Sequence, residues 1–126
     1  MGYFGSWVLP GTNMKFNYAR KISSLSQAQR ASFYERLANN LTIAVRWICG
    51  HEDWADADKV GKLSRLNEIQ HGVTSQVIGA RRGVDNWSEA DFARSIDFHV
   101  GEDEELLALV ERVIERTYTR VSAIRE

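Results

Sequence analysis

The chain has 126 residues, sixteen lysines and arginines against seventeen aspartates and glutamates, and a net charge of -1. Hydrophobic residues make up 44% and charged residues 26%, the balance of one ordinary globular domain. Such a chain buries roughly two-thirds of its unfolded surface and needs no metal or disulfide to fold. The charge balance excludes the strong basic excess of a dedicated nucleic-acid coat protein. Cys49 is the only cysteine, so no internal disulfide forms, which suits a reducing, cytoplasmic setting. No stretch approaches the ~18 apolar residues of a membrane span.

Residues 1–13 are apolar, aromatic and uncharged, unlike the rest. They read as a non-helical arm carrying Tyr3, Phe4, Trp7 and Leu9, or as an extension ahead of an initiator at Met14. Gly2 and Ser6 also fit the short myristoylation pattern. Residues 14–126 read as one helical domain, since Pro10 is the only proline.

The first helix is expected over Gln27–Cys49. Ser26 with Gln29 forms a capping box, and Gly50 supplies the stop. Phe33, Leu37, Leu41, Ala44, Val45 and Ile48 fall inside one sector of about 120°. The second helix is expected over Ala57–Ala80, capped by Asp56. Its apolar face reads Val60, Leu63, Leu66, Ile69, Val73, Val77 and Ile78. Gly61, Gly72 and Gly79 weaken it by roughly 1 kcal/mol each relative to alanine.

The third helix is short, over Glu89–Val100, with Ser88 as cap, Phe92, Ala93 and Ile96 inward, and Gly101 as stop. The fourth is expected over Glu102–Ile124. Its acidic first turn, Glu102 to Glu105, and its late arginines Arg116, Arg120 and Arg125 complement the helix dipole. Its stripe runs Leu106, Leu109, Val110, Val113, Ile114, Thr117, Val121 and Ile124. The expectation is an all-α, four-helix bundle-like domain, with three long helices and one short.

Chemistry is sparse. Arg94 and His99 form an R-x4-H pair, which resembles the signature of HEPN-type ribonucleases. That resemblance covers six residues. It implies a helical fold and a dimer in which Arg94 and His99 act on the RNA backbone. On an unbroken helix the two point about 140° apart, His99 inward and Arg94 to water. Glu68 and His71 resemble half of a ferritin-like di-iron motif, but a second Glu-x-x-His is missing. Glu102 to Glu105 contains the E-x-x-E of magnesium-binding pyrophosphohydrolases without its downstream E-x-x-D. The sequence therefore calls for no metal and no cofactor.

Asn67, Gln70 and Thr74 fall within the apolar arc of the second helix, where buried amides need hydrogen-bond partners. They are expected to fix register or self-association, with Asn39 and Asn40 as partners. Arg81 and Arg82, with Lys59, Lys62 and Arg65 upstream, could bind phosphate or an acidic partner. Trp54 sits in the acidic loop HEDWADAD and is the expected partner anchor, while Trp47 and Trp87 sit near helix ends. The leading expectation is a non-enzymatic protein–protein interaction or regulatory module that self-associates, as a homodimer. The alternatives are an RNase using Arg94 and His99, and a nucleic-acid or acidic-partner binder using Arg81 and Arg82.

Overall fold

The computed structural model describes residue 22 and residues 24–81 and 89–123. Among the described residues four α-helices follow one another, α1 (Gln27–Cys49), α2 (Asp56–Arg81), α3 (Glu89–Val100) and α4 (Glu104–Ser122), and there is no strand. Helix α1 packs on α2 and on α4, and α3 packs on α2 and α4. The fold is the expected helical bundle. The proposed arm, residues 1–13, lies outside the described residues.

Local chemistry sets the helix ends. Ser26 Oγ accepts from the Gln29 amide at 3.1 Å, while Gln29 Oε1 accepts from the Ser26 amide at 3.0 Å. This reciprocal pair satisfies two orphan donors at the start of α1. The Gly50 amide closes α1 by donating to Arg46 O at 2.9 Å. Helix α4 starts two residues later than expected, because Asp103 takes the N-cap position and Oδ1 accepts from the Leu106 amide at 3.0 Å. Between α3 and α4 the chain turns at Gly101, whose φ of +65° lies in the left-handed region that favours glycine.

The core is one cluster. Phe33 and Tyr34 of α1 meet Phe92 of α3 edge to face, with ring centroids 5.5–6.0 Å apart. Leu37, Leu41, Leu66, Ile69, Val73, Ile96, Leu106, Val110 and Ile114 surround them.

The buried face of α2 is rotated from the expected one. Lys62, Leu66, Ile69, Val73 and Gln76 are buried, whereas Val60 is 66% exposed and Ile78 50% exposed. The buried set repeats at intervals of four, three, four and three residues, a continuous inward-facing seam. The same rotation corrects the expectation for the polar trio. Asn67 and Thr74 are exposed rather than buried in the seam. Thr74 Oγ1 turns back on its own helix and donates to Gln70 O at 2.9 Å.

Candidate functional site: an arginine groove between α1 and α4

Helices α1 and α4 pack side by side, and the line between them opens into a groove of about 270 Å³. Its floor comes from Asn40, Val113 and Thr117. Thr117 is fully buried. Its Oγ1 donates to Val113 O at 2.7 Å and accepts from Asn40 Nδ2 at 2.9 Å. The Thr117 hydroxyl is thus satisfied within the protein, and Asn40 serves α4 rather than the polar trio of α2.

Ile43 and Trp47 of α1 supply the apolar wall, with Ile43 42% exposed. Three guanidinium groups rim it, Arg36 from α1 and Arg116 and Arg120 from α4. Arg36 Nε donates to Ser32 Oγ at 3.3 Å. Among the described residues no carboxylate forms an ion pair with any of the three. Further along, a second opening joins Trp47 to Arg46, Leu109 and Arg112. The Arg112 guanidinium lies 5.5 Å from the centroid of the Trp47 ring, a cation–π contact.

The arrangement follows from helical spacing. Arg112, Arg116 and Arg120 stand four residues apart and share one edge of α4. Measured from Arg116, Glu104, Glu111 and Glu115 fall about 100–140° away, whereas Glu105 falls on the ladder's own edge, one helix end away and held by Trp54 and Lys62. On α1, the stretch from Arg36 to Trp47 holds two arginines and no acid. Arginines at i, i+4 repel, so the ladder opposes helix stability by a few tenths of a kcal/mol per pair. The dipole argument accounts for Arg120 in the last turn but not for Arg112 in mid-helix. This ladder is the feature that sequence reasoning missed.

The expected site residues sit elsewhere and do not converge. Trp54 is an intrachain linchpin rather than an exposed anchor. Its ring stacks on His51 with centroids 3.8 Å apart and planes within 5°. Its Nε1 donates to Glu105 Oε2 at 2.8 Å, and the Lys62 ammonium lies 4.6 Å from its ring. The loop's aromatic is consumed because the α3–α4 corner brings its acids against it.

Lys62 is also consumed. Although only 6% exposed, it pairs with Asp103 Oδ2 at 3.1 Å and Glu105 Oε1 at 3.2 Å. Burial acts to lower its pKa, but the hydrogen bonds to Asp103 and Glu105, with their charges, outweigh it and raise the pKa. Arg65 Nη1 donates to the terminal carbonyl of α3, Val100 O, at 3.0 Å. Lys59 donates to Cys49 O at 3.1 Å. The basic residues expected to extend the Arg81–Arg82 site therefore stitch α2 to its neighbours. The Arg81 side chain and all of Arg82 and Trp87 lie outside the described residues.

Gln70 keeps an interhelical role. Its Nε2 donates to Ala38 O at 2.8 Å and to Thr42 Oγ1 at 3.2 Å, fastening α2 to α1. Arg94 and His99 lie on one continuous helix, α3, about 140° apart. Arg94 is exposed and reaches Asp91 at 3.9 Å, while half-buried His99 meets the Phe98 ring at 5.2 Å. Glu68 and His71 are both exposed. Among the described residues no three His, Cys, Asp or Glu side chains cluster to hold a metal ion. No described helix is long and apolar enough to cross a membrane.

The chain was compared with protein-family models, with curated proteins and with solved structures, and it matches none of them.

Proposed function

We propose that this chain is a non-enzymatic interaction module that engages an acidic protein partner through the arginine groove between α1 and α4. One observation carries the reading: Arg36, Arg116 and Arg120 rim a groove walled by Ile43 and Trp47, and no carboxylate of the described residues is paired to them. Guanidinium groups bind carboxylates by charge-assisted, often bidentate, hydrogen bonds. Apolar surface with tryptophan and arginine at its edge is the composition of interface hot spots.

The apolar wall favours a protein over a nucleic acid. Ile43 and Trp47 offer apolar surface that a phosphate backbone would leave uncovered. A base stacking on Trp47 would compete with Arg112 for the ring. The alternative of RNA cleavage by Arg94 and His99 draws no support from one chain, because the two side chains point apart along α3.

The test uses fluorescein-labelled poly-glutamate and labelled oligo-uridine RNA, titrated with the full chain at several salt concentrations. The expected result is salt-sensitive binding of poly-glutamate that falls at least tenfold in Arg116→Glu/Arg120→Glu and is unchanged in Arg94→Glu. RNA binding tighter than poly-glutamate binding, or equal poly-glutamate binding by all three proteins, would overturn the reading.

A further inference from the structure

The chain that carries a cationic groove also carries its opposite in charge and shape. Phe98, in the last turn of α3, is 79% exposed, the most exposed large apolar side chain among the described residues. It stands in an acidic stretch. From Asp91 to Glu105 the sequence holds six carboxylates (Asp91, Asp97, Glu102, Asp103, Glu104 and Glu105) and one arginine, a net of -5 with histidine neutral. Asp103 and Glu105 are partly neutralised by Lys62, and Arg94 pairs with Asp91. Glu102 and Glu104 remain exposed at the turn that follows Phe98. Phe98 thus projects into water beside carboxylates as a knob, its ring contact among the described residues being with the adjacent His99 at 5.2 Å.

We infer that the occupant of the α1/α4 groove is a second copy of this chain, which inserts Phe98 against Ile43 and Trp47. Its acidic turn at Glu102 and Glu104 then meets Arg36, Arg116 and Arg120. This inference rests on the groove reading above and names its partner. Both halves of the contact are present on every chain. Opposite charge steers the encounter, and the aromatic supplies the buried anchor. Knob and groove are different surfaces, so the contact is heterologous. Two copies exchange knobs and close as a dimer, or successive copies add head to tail. The near-zero net charge of the whole chain permits either arrangement, because no overall repulsion keeps copies apart.

The test is sedimentation velocity over a concentration series, with the full chain and two variants. Phe98→Arg disables the knob and places a cation at the helix C-terminus, where it suits the dipole. Arg116→Glu/Arg120→Glu disables the groove. Circular dichroism melts establish that both fold. The expected result is association of the wild type that weakens at high salt, and monomers for each variant alone. Mixing the variants restores a 1:1 complex, because one still owns an intact groove and the other an intact knob.

Monomeric wild type at the highest concentration would overturn the inference, as would a Phe98→Arg variant that associates like wild type or a mixture that stays monomeric. The groove reading is scored separately. Phe98→Arg retains an intact groove, so its binding of poly-glutamate upholds that reading even where self-docking fails.

Discussion

Asn40 Nδ2 donates to Thr117 Oγ1 at 2.9 Å across the line where α1 and α4 pack, joining two residues 77 positions apart in the chain. The bond sits in the floor of the arginine groove, so it both aligns the two helices and satisfies the buried Thr117 hydroxyl. Thr117→Val keeps the shape and removes the acceptor. It is expected to cost about 1 kcal/mol, because Asn40 is only half-buried and water can replace the lost partner. Asn40→Ala is expected to cost a similar amount, and the double variant less than the sum. A double-mutant cycle by urea denaturation measures the coupling.

Lys62 fastens α2 to the corner between α3 and α4. Lys62→Ala leaves Glu105 without its cation, Asp103 with only Arg65 at 4.0 Å, and Trp54 without its ammonium neighbour. An enclosed ion pair broken in this way costs several kcal/mol. Here Glu105 is 59% exposed, which discounts the expected loss to about 2 kcal/mol. Lys62→Met, which fills the same space without a charge, is expected to cost less than Lys62→Ala. Chemical denaturation of the two variants checks the order.

The same group gives the protein an alkaline limit. The folded pKa of Lys62 lies above its ordinary value of 10.5. The stabilisation it contributes is therefore fully present below that value and is lost as pH rises through the folded pKa. Melting temperature measured from about pH 9 upward is expected to fall more steeply in the wild type than in Lys62→Met, which has no such proton to lose.

Gly61 stands in the first half of α2, exposed, with nothing within 4 Å of where a Cβ would lie. Gly61→Ala is expected to stabilise the protein by about 1 kcal/mol through the lower helix cost of alanine. Gly101→Ala is expected to destabilise it by about 1–2 kcal/mol, since its φ of +65° strains any residue with a Cβ. Thermal melts of the two variants should move in opposite directions.

Arg116 is expected to be dispensable for folding. Replacing it by glutamate turns two repulsive i, i+4 neighbours, Arg112 and Arg120, into attractive ones. Arg116→Glu is expected to leave stability unchanged or raise it by a few tenths of a kcal/mol. A loss of more than about 1 kcal/mol in urea denaturation would mean that the arginine ladder serves the fold rather than a partner.

Most of the fold was legible in the sequence because helix ends are local. The Ser26–Gln29 capping box and Gly50 bound α1 at the expected residues, and α3 spans Glu89–Val100 as expected. The buried face of α2 was not legible. Val60 and Ile78 look like core residues by type, and Lys62 does not. Only the carboxylates of Asp103 and Glu105, some forty positions away, make its burial tolerable. Trp54 failed for the same reason, since its hydrogen-bond partner Glu105 arrives from α4. The groove was partly legible. The four-residue spacing of Arg112, Arg116 and Arg120 is visible in the sequence, but the helix dipole offered a sufficient local reason for late arginines. That α1 would bring Arg36 and Trp47 to the same edge is a tertiary fact.

The most direct test of the account follows arginine side-chain Nε–H and tryptophan indole resonances by NMR as unlabelled poly-glutamate is added to the isotopically labelled chain. The account predicts shifts concentrated at Arg36, Arg116, Arg120 and the Trp47 indole, with Trp54 and Arg94 unmoved. Shifts centred on Arg94, or no saturable shifts at the groove arginines, would contradict it.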